Sequence, residues 1–479
     1  MPPSKKLTLP RVALVIVVAL LAINVVAVAI VAIGNALRPP AGLEGIARVV
    51  TALDGVQGVR PGEIDSPLSD WVADGLVVMD PGATPDQVKE ALDVTGAFIA
   101  DQADDAALHV DAMNLQVGTT TMRVFPDGTS NAEQVVALSL LDDVRVDGAE
   151  VIGAGFYGDT VQLTIDSAAG LISGAQAARQ LAAGVALYDH APAVVRTVNN
   201  QYSFIAPPPV AAETPSAKVF AAVSDRFPLS SAKLTADAAD LTLGFRATAD
   251  DITAARTLAR ATAGDAIEVQ VHGAFGDQGP DRAVRDLISA TRSIDGVRDI
   301  GTGGDAGGFD LGLQVATSSA AYVAYAAVKD LPEFARLESF SVRRADLPNP
   351  AGPGDFRIVA APADAPKAMA LLNALSSTGI VRSVDLDYGE AGIDRDDIFI
   401  VELLDDSESS IEKAVAQLKS QFGGAAVVQL FSTDLTHAAQ VGATFTIGTT
   451  IEPKGIAGDF RNQARSDQFQ STLTQAWND

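Results

Sequence analysis

The chain has 479 residues, of which 48% are hydrophobic and only 5% aromatic, with 60 acidic against 34 basic residues and a formal net charge of −26. This charge disfavours nucleic acid as a partner, because nucleic-acid binding depends on clustered Lys and Arg that displace counterions. The sequence contains no cysteine, which excludes disulfides, thiolate nucleophiles and cysteine-based metal sites.

The first predicted element is an apolar segment, Val12–Ile33, which carries no charged residue. At about 1.5 Å per residue it is long enough to cross a hydrocarbon core of about 30 Å. Lys5, Lys6 and Arg11 precede it, and positive charge on this side favours a cytoplasmic N-terminus with the bulk of the chain outside the cytoplasm. We therefore predict a single-pass signal-anchor helix in the plasma membrane, with the lipid bilayer as a partner. A cleavable signal peptide is the alternative, because small residues follow at 34–36.

Predicted strands and helices then alternate along the chain. A strand over 75–80 leads to a helix that begins at Thr84, where Pro85 is the first helical residue and Gln87 completes a capping box. Two strands, a helix capped by Ser130 and a strand over 144–151 follow. This β-α-β-β-α-β order is typical of a ferredoxin-like sandwich.

The same order recurs over 266–342 and again over 356–431, with extra βα units between the sets. In the last set, Ser409 and Glu412 form a second predicted capping box. The predicted fold class is therefore α+β: an N-terminal single transmembrane helix followed by tandem ferredoxin-like (βαββαβ) sandwich repeats.

Two proline-rich segments, 206–216 and 347–354, indicate linkers. The tail spaces Phe469, Leu473 and Trp477 four residues apart, which predicts an amphipathic helix docked on the last module rather than on a partner. The predicted organisation is a cytoplasmic N-terminus (1–11), the transmembrane helix (12–33), α+β repeat segments (42–206 and 218–346), a third module (355–432) and a C-terminal tail (433–479).

A recurring phrase marks the passage from a helix into the next strand. Within it, Gly296 and Gly379 are predicted to take the positive φ that ends a helix. Arginines stand just inside these strands and are candidate exposed binding residues for an acidic ligand. The alternative is that they are edge charges paired with neighbouring aspartates. These residues are Arg145, Arg196, Arg298 and Arg382.

One loop between predicted strands concentrates acidic side chains and is a weak candidate for Ca²⁺. Calcium needs six to eight converging oxygens, so an ordinary solvated loop is the alternative. The residues are Asp385, Asp387, Glu390, Asp394, Asp396 and Asp397.

Other motifs point to structure rather than to chemistry. The glycine-rich stretches at 153–158 and 301–308 lead into strands, whereas a dinucleotide fingerprint leads into a helix, so turns are predicted at both. The histidines at 109, 190, 272 and 437 lie far apart and are expected to be structural. We predict no catalytic residue and no cofactor.

The sequence therefore favours a non-catalytic scaffold or binding protein of a bacterial cell envelope. Abundant Ala, Val, Asp and Gly with few Lys are typical of a GC-rich bacterial genome. The predicted partner is an envelope protein or a cell-wall component. Two alternatives stay open: an extracytoplasmic hydrolase or transferase with a site assembled between modules, and a ligand-sensing partner of another membrane protein.

Overall fold

The computed structural model describes residues 41–61, 75–102, 113–198, 200–208, 214–244, 246–274, 282–303, 309–344, 354–388, 397–421, 426–436, 439–446 and 463–479. The predicted transmembrane segment, 12–33, lies outside these ranges. Among the helices within them, none is both long enough and apolar enough to cross a membrane.

Eleven strands of the described chain form one mixed sheet, sheet 1, and their order in space is their order in sequence. They are Val56–Pro61 (β1), Gly75–Met79 (β2), Met113–Val117 (β3), Thr120–Arg123 (β4), Val151–Tyr157 (β5), Thr160–Ile165 (β6), Ala193–Thr197 (β7), Tyr202–Ala206 (β8), Leu229–Leu234 (β9), Ala238–Leu243 (β10) and Glu268–Gly273 (β11). Antiparallel neighbours alternate with parallel neighbours, and each parallel pair is joined through a helix.

The helices that accompany sheet 1 are Ala41–Val50 (α1), Pro85–Gln102 (α2), Gly128–Leu141 (α3), Leu171–Ala183 (α4), Pro215–Ser224 (α5) and Ala249–Ala263 (α6). Strand residues alternate between buried and half-buried, as in β2 and β3, because successive side chains of a strand point to opposite faces. The buried face meets the helices in one aliphatic core.

Eight further strands form sheet 2, again in sequence order. They are Val297–Gly303 (β12), Phe309–Val315 (β13), Leu337–Arg344 (β14), Asp355–Ala360 (β15), Val381–Asp387 (β16), Asp397–Leu403 (β17), Ala426–Asp434 (β18) and Ala439–Thr446 (β19). Its helices are Arg282–Arg292 (α7), Ser318–Val328 (α8), Ala365–Ser377 (α9), Glu408–Gln421 (α10) and Gln463–Asn478 (α11), and they share a second core with this sheet.

The predicted fold class was wrong: the described chain is α+β with two mixed sheets instead of tandem ferredoxin-like sandwiches, and the helices within the described ranges include none that could span a membrane. A ferredoxin-like unit interleaves its strands, whereas here each strand pairs with its neighbours in sequence. The strands flanking each proline-rich segment also pair: β8 with β9 in parallel, and β14 with β15 antiparallel. Pairing satisfies main-chain groups that the edge of an isolated module would leave open.

Several local predictions are confirmed. At the start of α2, the Thr84 N–H donates to Gln87 Oε1 at 2.8 Å, and the Gln87 N–H donates to Thr84 Oγ1 at 3.3 Å. The glycine-rich stretch at 153–158 leads into a strand as expected, although 153–157 belong to β5 and only Gly158 lies in the turn of the β5–β6 hairpin. Phe469, Leu473 and Trp477 are buried in the core of sheet 2, so α11 is docked as expected.

Two helix starts differ from the prediction. The N-cap of α3 is Asp127, whose Oδ1 accepts from the Ser130 N–H at 2.8 Å. At α10, Ser407 Oγ accepts from the Ser410 N–H at 3.3 Å, so the capping hydroxyl lies two residues before Ser409.

The two sheets contact each other at two places. At one end, the Val59 N–H of β1 donates to the Leu435 carbonyl, which follows β18, at 2.6 Å. At the other end, Gln201, between β7 and β8, lies beside Gly301 of β12. Sheet 1 therefore contacts sheet 2 at edge strand β12 and at the turn that follows β18.

Candidate functional site

The helix-free face of sheet 2 is polar, because its strands alternate strictly. Along β13, Leu311 and Leu313 are buried in the core, so Gly312 and Gln314 lie on the opposite face. We call this opposite side the open face of sheet 2.

Strand register places small residues of the open face in one row. Gly301 of β12 is opposite Gly312 of β13, and Gly312 is opposite Ser341 of β14. Two glycines and a serine in line leave a shallow trough in which the main chain is the floor.

A polar row runs directly beside the trough. Gln314 is opposite Arg343, Arg343 is opposite Arg357 on β15, and Arg357 is opposite Asp385 on β16. This row crosses four strands and offers amide, guanidinium and carboxylate groups along one edge of the trough.

A cavity of about 360 Å³ lies over the two rows, which is within the range of about 300–1,000 Å³ for small-molecule pockets. Sheet 2 supplies most of its wall, including Asp310 at the start of β13, and Gln201 of sheet 1 closes the opposite side. The cavity is therefore formed where the two sheets approach each other.

Gln314 is the most informative side chain of this cavity. The residue is only 6% exposed, and within the described ranges its amide makes no side-chain hydrogen bond. The amide atoms of Gln314 are not fully buried, so they are accessible from the cavity. The amide thus lines the cavity with unused hydrogen-bonding capacity.

Arg343 and Arg357 are directly opposite each other on neighbouring strands, an arrangement that is destabilising for like charges. An ion pair partly offsets the repulsion between the two guanidiniums, because Arg357 Nη1 lies 3.1 Å from Asp385 Oδ2. Burial raises the pKa of Asp385, while the charge of Arg357 and its hydrogen bond lower it. The row therefore combines donors and acceptors with nearly balanced charge.

The packing around Gly301 does not require a glycine at this position. A Cβ at this position would come no closer than 3.9 Å to the Gly312 oxygen and 4.0 Å to Gln201 Nε2. Glycine weakens the interior of a strand, so the absence of a side chain here has one evident effect: it keeps the floor of the cavity open.

The structure places the four candidate arginines on separate elements. Arg145 lies in the turn before β5, where Nη1 donates to the carbonyls of Asp142 and Val144. Arg196 lies on β7, with its Nε and Nη2 each 2.9 Å from the end of the Gln162 amide, which accepts from both when its oxygen is placed there.

The other two candidates lie in sheet 2. Arg298 is exposed on β12. Arg382, on β16, has Nε 3.4 Å from Glu402 Oε1, and only 16% of its side chain is exposed. The four candidate arginines therefore do not line one cavity.

The acidic loop is described only at its ends. Asp385 and Asp387 belong to β16 and Asp397 to β17, whereas Glu390, Asp394 and Asp396 lie outside the described residues. Within the described ranges, no group of His, Asp and Glu is arranged to hold a metal ion. The Ca²⁺ hypothesis stays a prediction.

The histidines that are described are exposed or nearly so. His190 Nδ1 lies 3.8 Å from Asp189, and His272 Nε2 lies 3.6 Å from Asp240. Residues 109 and 437 lie outside the described ranges.

Arg343 and Arg357 were missed because neither follows the recurring phrase at a helix end. A signal was present: the predicted strand ends at 342, and continuing the alternation of its apolar Phe340 and Val342 by one residue places Arg343 on the outward face. The pairing of that strand with β15, which brings Arg357 alongside, depends on register that one sequence does not reveal.

No protein-family model matches the chain, and comparisons with curated proteins and with solved structures found no significant match. The class that the fold and site define is an α+β protein with a polar cavity between two mixed sheets.

Proposed function

We propose that this chain is a non-catalytic binding protein that holds a small polyhydroxylated ligand, of the saccharide class, in the trough of sheet 2. The observation that carries the proposal is Gln314, whose side-chain amide is accessible from the cavity and makes no side-chain hydrogen bond within the described ranges. A ligand hydroxyl would satisfy it.

The donor and acceptor set fits hydroxyl groups. A hydroxyl both donates and accepts, so it can bridge an amide or guanidinium on one side and a carboxylate on the other. The trough supplies Gln314, Arg343 and Arg357 along one edge and Asp310 nearby. A sugar ring carries several such hydroxyls at fixed spacing.

The charge balance favours a neutral ligand over a strongly charged one. Two guanidiniums, of Arg343 and Arg357, are accompanied by the carboxylates of Asp310 and Asp385. The glycine floor lets a flat ring approach the main chain closely.

A cell-wall partner, expected from the sequence, contains ligands of this class. The envelope location stays a prediction, because residues 1–40 lie outside the described ranges. The hydrolase and ligand-sensing alternatives likewise stay predictions.

The proposal is tested by isothermal titration of glucose, maltose and N-acetylglucosamine into the wild-type chain and the Gly301→Ala variant. We expect at least one sugar to bind the wild type, and Gly301→Ala to weaken that binding at least tenfold without lowering the Tm, because a methyl group fits the space but fills the floor. The matched control is Gly82→Ala, at a glycine with nothing within 4 Å, which should bind like the wild type.

A second variant separates binding from folding. Gln314→Leu keeps the approximate size of the side chain and removes the amide, so we expect it to abolish sugar binding while the Tm stays close to that of the wild type. Equal sugar affinity in wild type, Gly301→Ala and Gln314→Leu, or no binding of any of the three sugars to the wild type, would refute the proposal.

A further inference from the structure

A second cavity, of about 480 Å³, lies apart from the trough of sheet 2. The turn between α5 and β9, the connection from β10 to α6, and α7 surround it. We call this cavity the arginine pocket, because Arg226, Arg246 and Arg292 line it.

The charge of the arginine pocket opposes that of the whole chain. Among the described lining residues, three guanidiniums accompany one carboxylate, that of Asp251, whereas the whole chain has a formal net charge of −26. Asp251 is engaged elsewhere: its Oδ2 accepts from the Thr248 N–H at 2.9 Å and from Thr248 Oγ1 at 2.8 Å. These bonds lower the pKa of Asp251, and they hold its carboxylate at the start of α6.

One guanidinium is fixed by a defined contact. Arg246 Nη2 donates to Ser289 Oγ at 2.9 Å, and Ser289 Oγ in turn donates to the Arg285 carbonyl at 2.7 Å. This chain links the β10–α6 connection to α7 and orients Arg246. Arg226, in the turn between α5 and β9, is exposed.

Apolar side chains form the rest of the wall. Phe227, Pro228, Leu229 and Ala247 line the pocket beside the guanidiniums. Guanidinium groups pair with carboxylates through two parallel hydrogen bonds. An apolar wall beside them is therefore complementary to a molecule that has one anionic end and a hydrocarbon body.

We propose that the arginine pocket binds an amphipathic carboxylate, a molecule of the fatty-acid class with a short or medium chain. The carboxylate meets Arg226 and Arg246, and the hydrocarbon chain lies against Phe227 and Leu229. This site is separate from the saccharide trough, so it stands independently of the function proposed above.

The experiment is isothermal titration of sodium octanoate into the full chain, alongside acetate and 1-octanol. Acetate has the charge without the chain, and 1-octanol has the chain without the charge. We expect octanoate to bind, and both analogues to bind at least tenfold more weakly.

Variants assign the binding to this pocket. Arg226→Gln should weaken octanoate at least tenfold, and Arg226→Lys should restore part of the loss. The matched control is Arg260→Gln, an exposed position at the far end of α6 with the same change in net charge, which should bind like the wild type. Thermal melting verifies that each variant is folded.

Three results would overturn the proposal. These are no octanoate binding to the wild type, equal losses in Arg226→Gln and Arg260→Gln, or acetate binding as tightly as octanoate. If Arg226→Gln does not fold, Arg246→Gln replaces it with the same expected loss.

Discussion

Gly379, which follows α9, shows how one residue ends a helix. Its φ is +69°, and no atom lies within 4 Å of the position a Cβ would take. The backbone conformation alone therefore requires glycine here.

We expect Gly379→Ala to lower the free energy of unfolding by about 1–2 kcal/mol, the cost of a left-handed conformation for a residue with a Cβ. Gly379→Asn should lower it less, since Asn tolerates this conformation better. Urea denaturation measures both, with Gly82→Ala as the control of unchanged stability. An equal effect of alanine at positions 379 and 82 would show that the positive φ carries no cost.

The sequence predicted the positive φ of Gly379 and of Gly296, which has a φ of +85°, because the signal is local: a helix end followed at once by a strand. Gly301 differs. Its role at the floor of the trough depends on Gly312 and Gln201, one from the paired strand and one from the other sheet, so no local pattern marks it.

Asp355, at the start of β15, gives a prediction for the pH dependence of stability. Burial raises the pKa of Asp355 from its ordinary 3.8, against the opposing effects of the Phe356 N–H and the charge of Arg344. The folded chain thus holds this proton more tightly than the unfolded chain, so its stabilising contribution is complete below the unfolded pKa and is lost as pH rises through the folded pKa.

We expect Asp355→Asn to raise the Tm at pH 7, because the amide has no charge to desolvate. This gain in Tm over the wild type should shrink as pH falls and vanish below about pH 4, where the wild-type carboxyl is protonated. Scanning calorimetry across this range measures it. A gain in Tm that is the same at both ends of the pH range would contradict the assignment.

The first residue of a helix could be predicted from the sequence only where a single residue could serve as its N-cap. Thr84 has no nearby competitor and caps α2 as expected. At α3, Asp127 and Ser130 are both good caps, and Asp127 is selected. Asn131 fixes this choice, since its amide accepts from the Phe125 N–H at 2.9 Å and donates to the Phe125 carbonyl at 3.0 Å.

The docking of α11 gives a prediction at the scale of one helix. Trp477 is 3% exposed, and its ring centroid lies 5.7 Å from that of Phe445 on β19, in an edge-to-face arrangement. We expect Trp477→Ala to cost about 3–5 kcal/mol of stability and to increase hydrogen exchange throughout α11. Ser471→Ala, at an exposed position of the same helix, is the control. Unchanged exchange in α11 after Trp477→Ala would mean that this contact does not hold the helix.

For the whole molecule, the sequence predicted most strands and helices but not how the strands pair. The sequence pattern of a strand with one apolar side is the same in a small sandwich and in a longer sheet. The proline-rich segments 206–216 and 347–354 looked like boundaries, yet the strands on either side of each are hydrogen-bonded neighbours. Such pairing depends on contacts between distant segments.

A largely buried charge cluster on sheet 2 lies near strand β1 of sheet 1. Glu402 on β17 is 4% exposed and accepts from Thr433 Oγ1 at 2.7 Å and Ser383 Oγ at 3.2 Å, in addition to its ion pair with Arg382. Arg60, from β1 of sheet 1, lies near enough that Glu402 raises its pKa against the larger lowering by burial.

Glu402→Gln should cost about 3–5 kcal/mol, because it leaves the buried Arg382 without its counter-charge. This loss should change little with salt, since buried pairs are weakly screened. Lys89→Ala, which breaks an exposed pair with Asp93, should cost less than about 1 kcal/mol and respond to salt. Urea denaturation at low and high NaCl measures both. Similar costs with similar salt dependence would mean that the Glu402 cluster behaves like a surface pair.

The most direct test of the ligand site is a crystal structure of the full chain soaked with the sugar that binds best in solution. We predict a sugar ring over Gly301 and Gly312, with a hydroxyl within hydrogen-bond distance of the Gln314 amide. A ring bound elsewhere, or a trough that holds only water at saturating sugar, would contradict it.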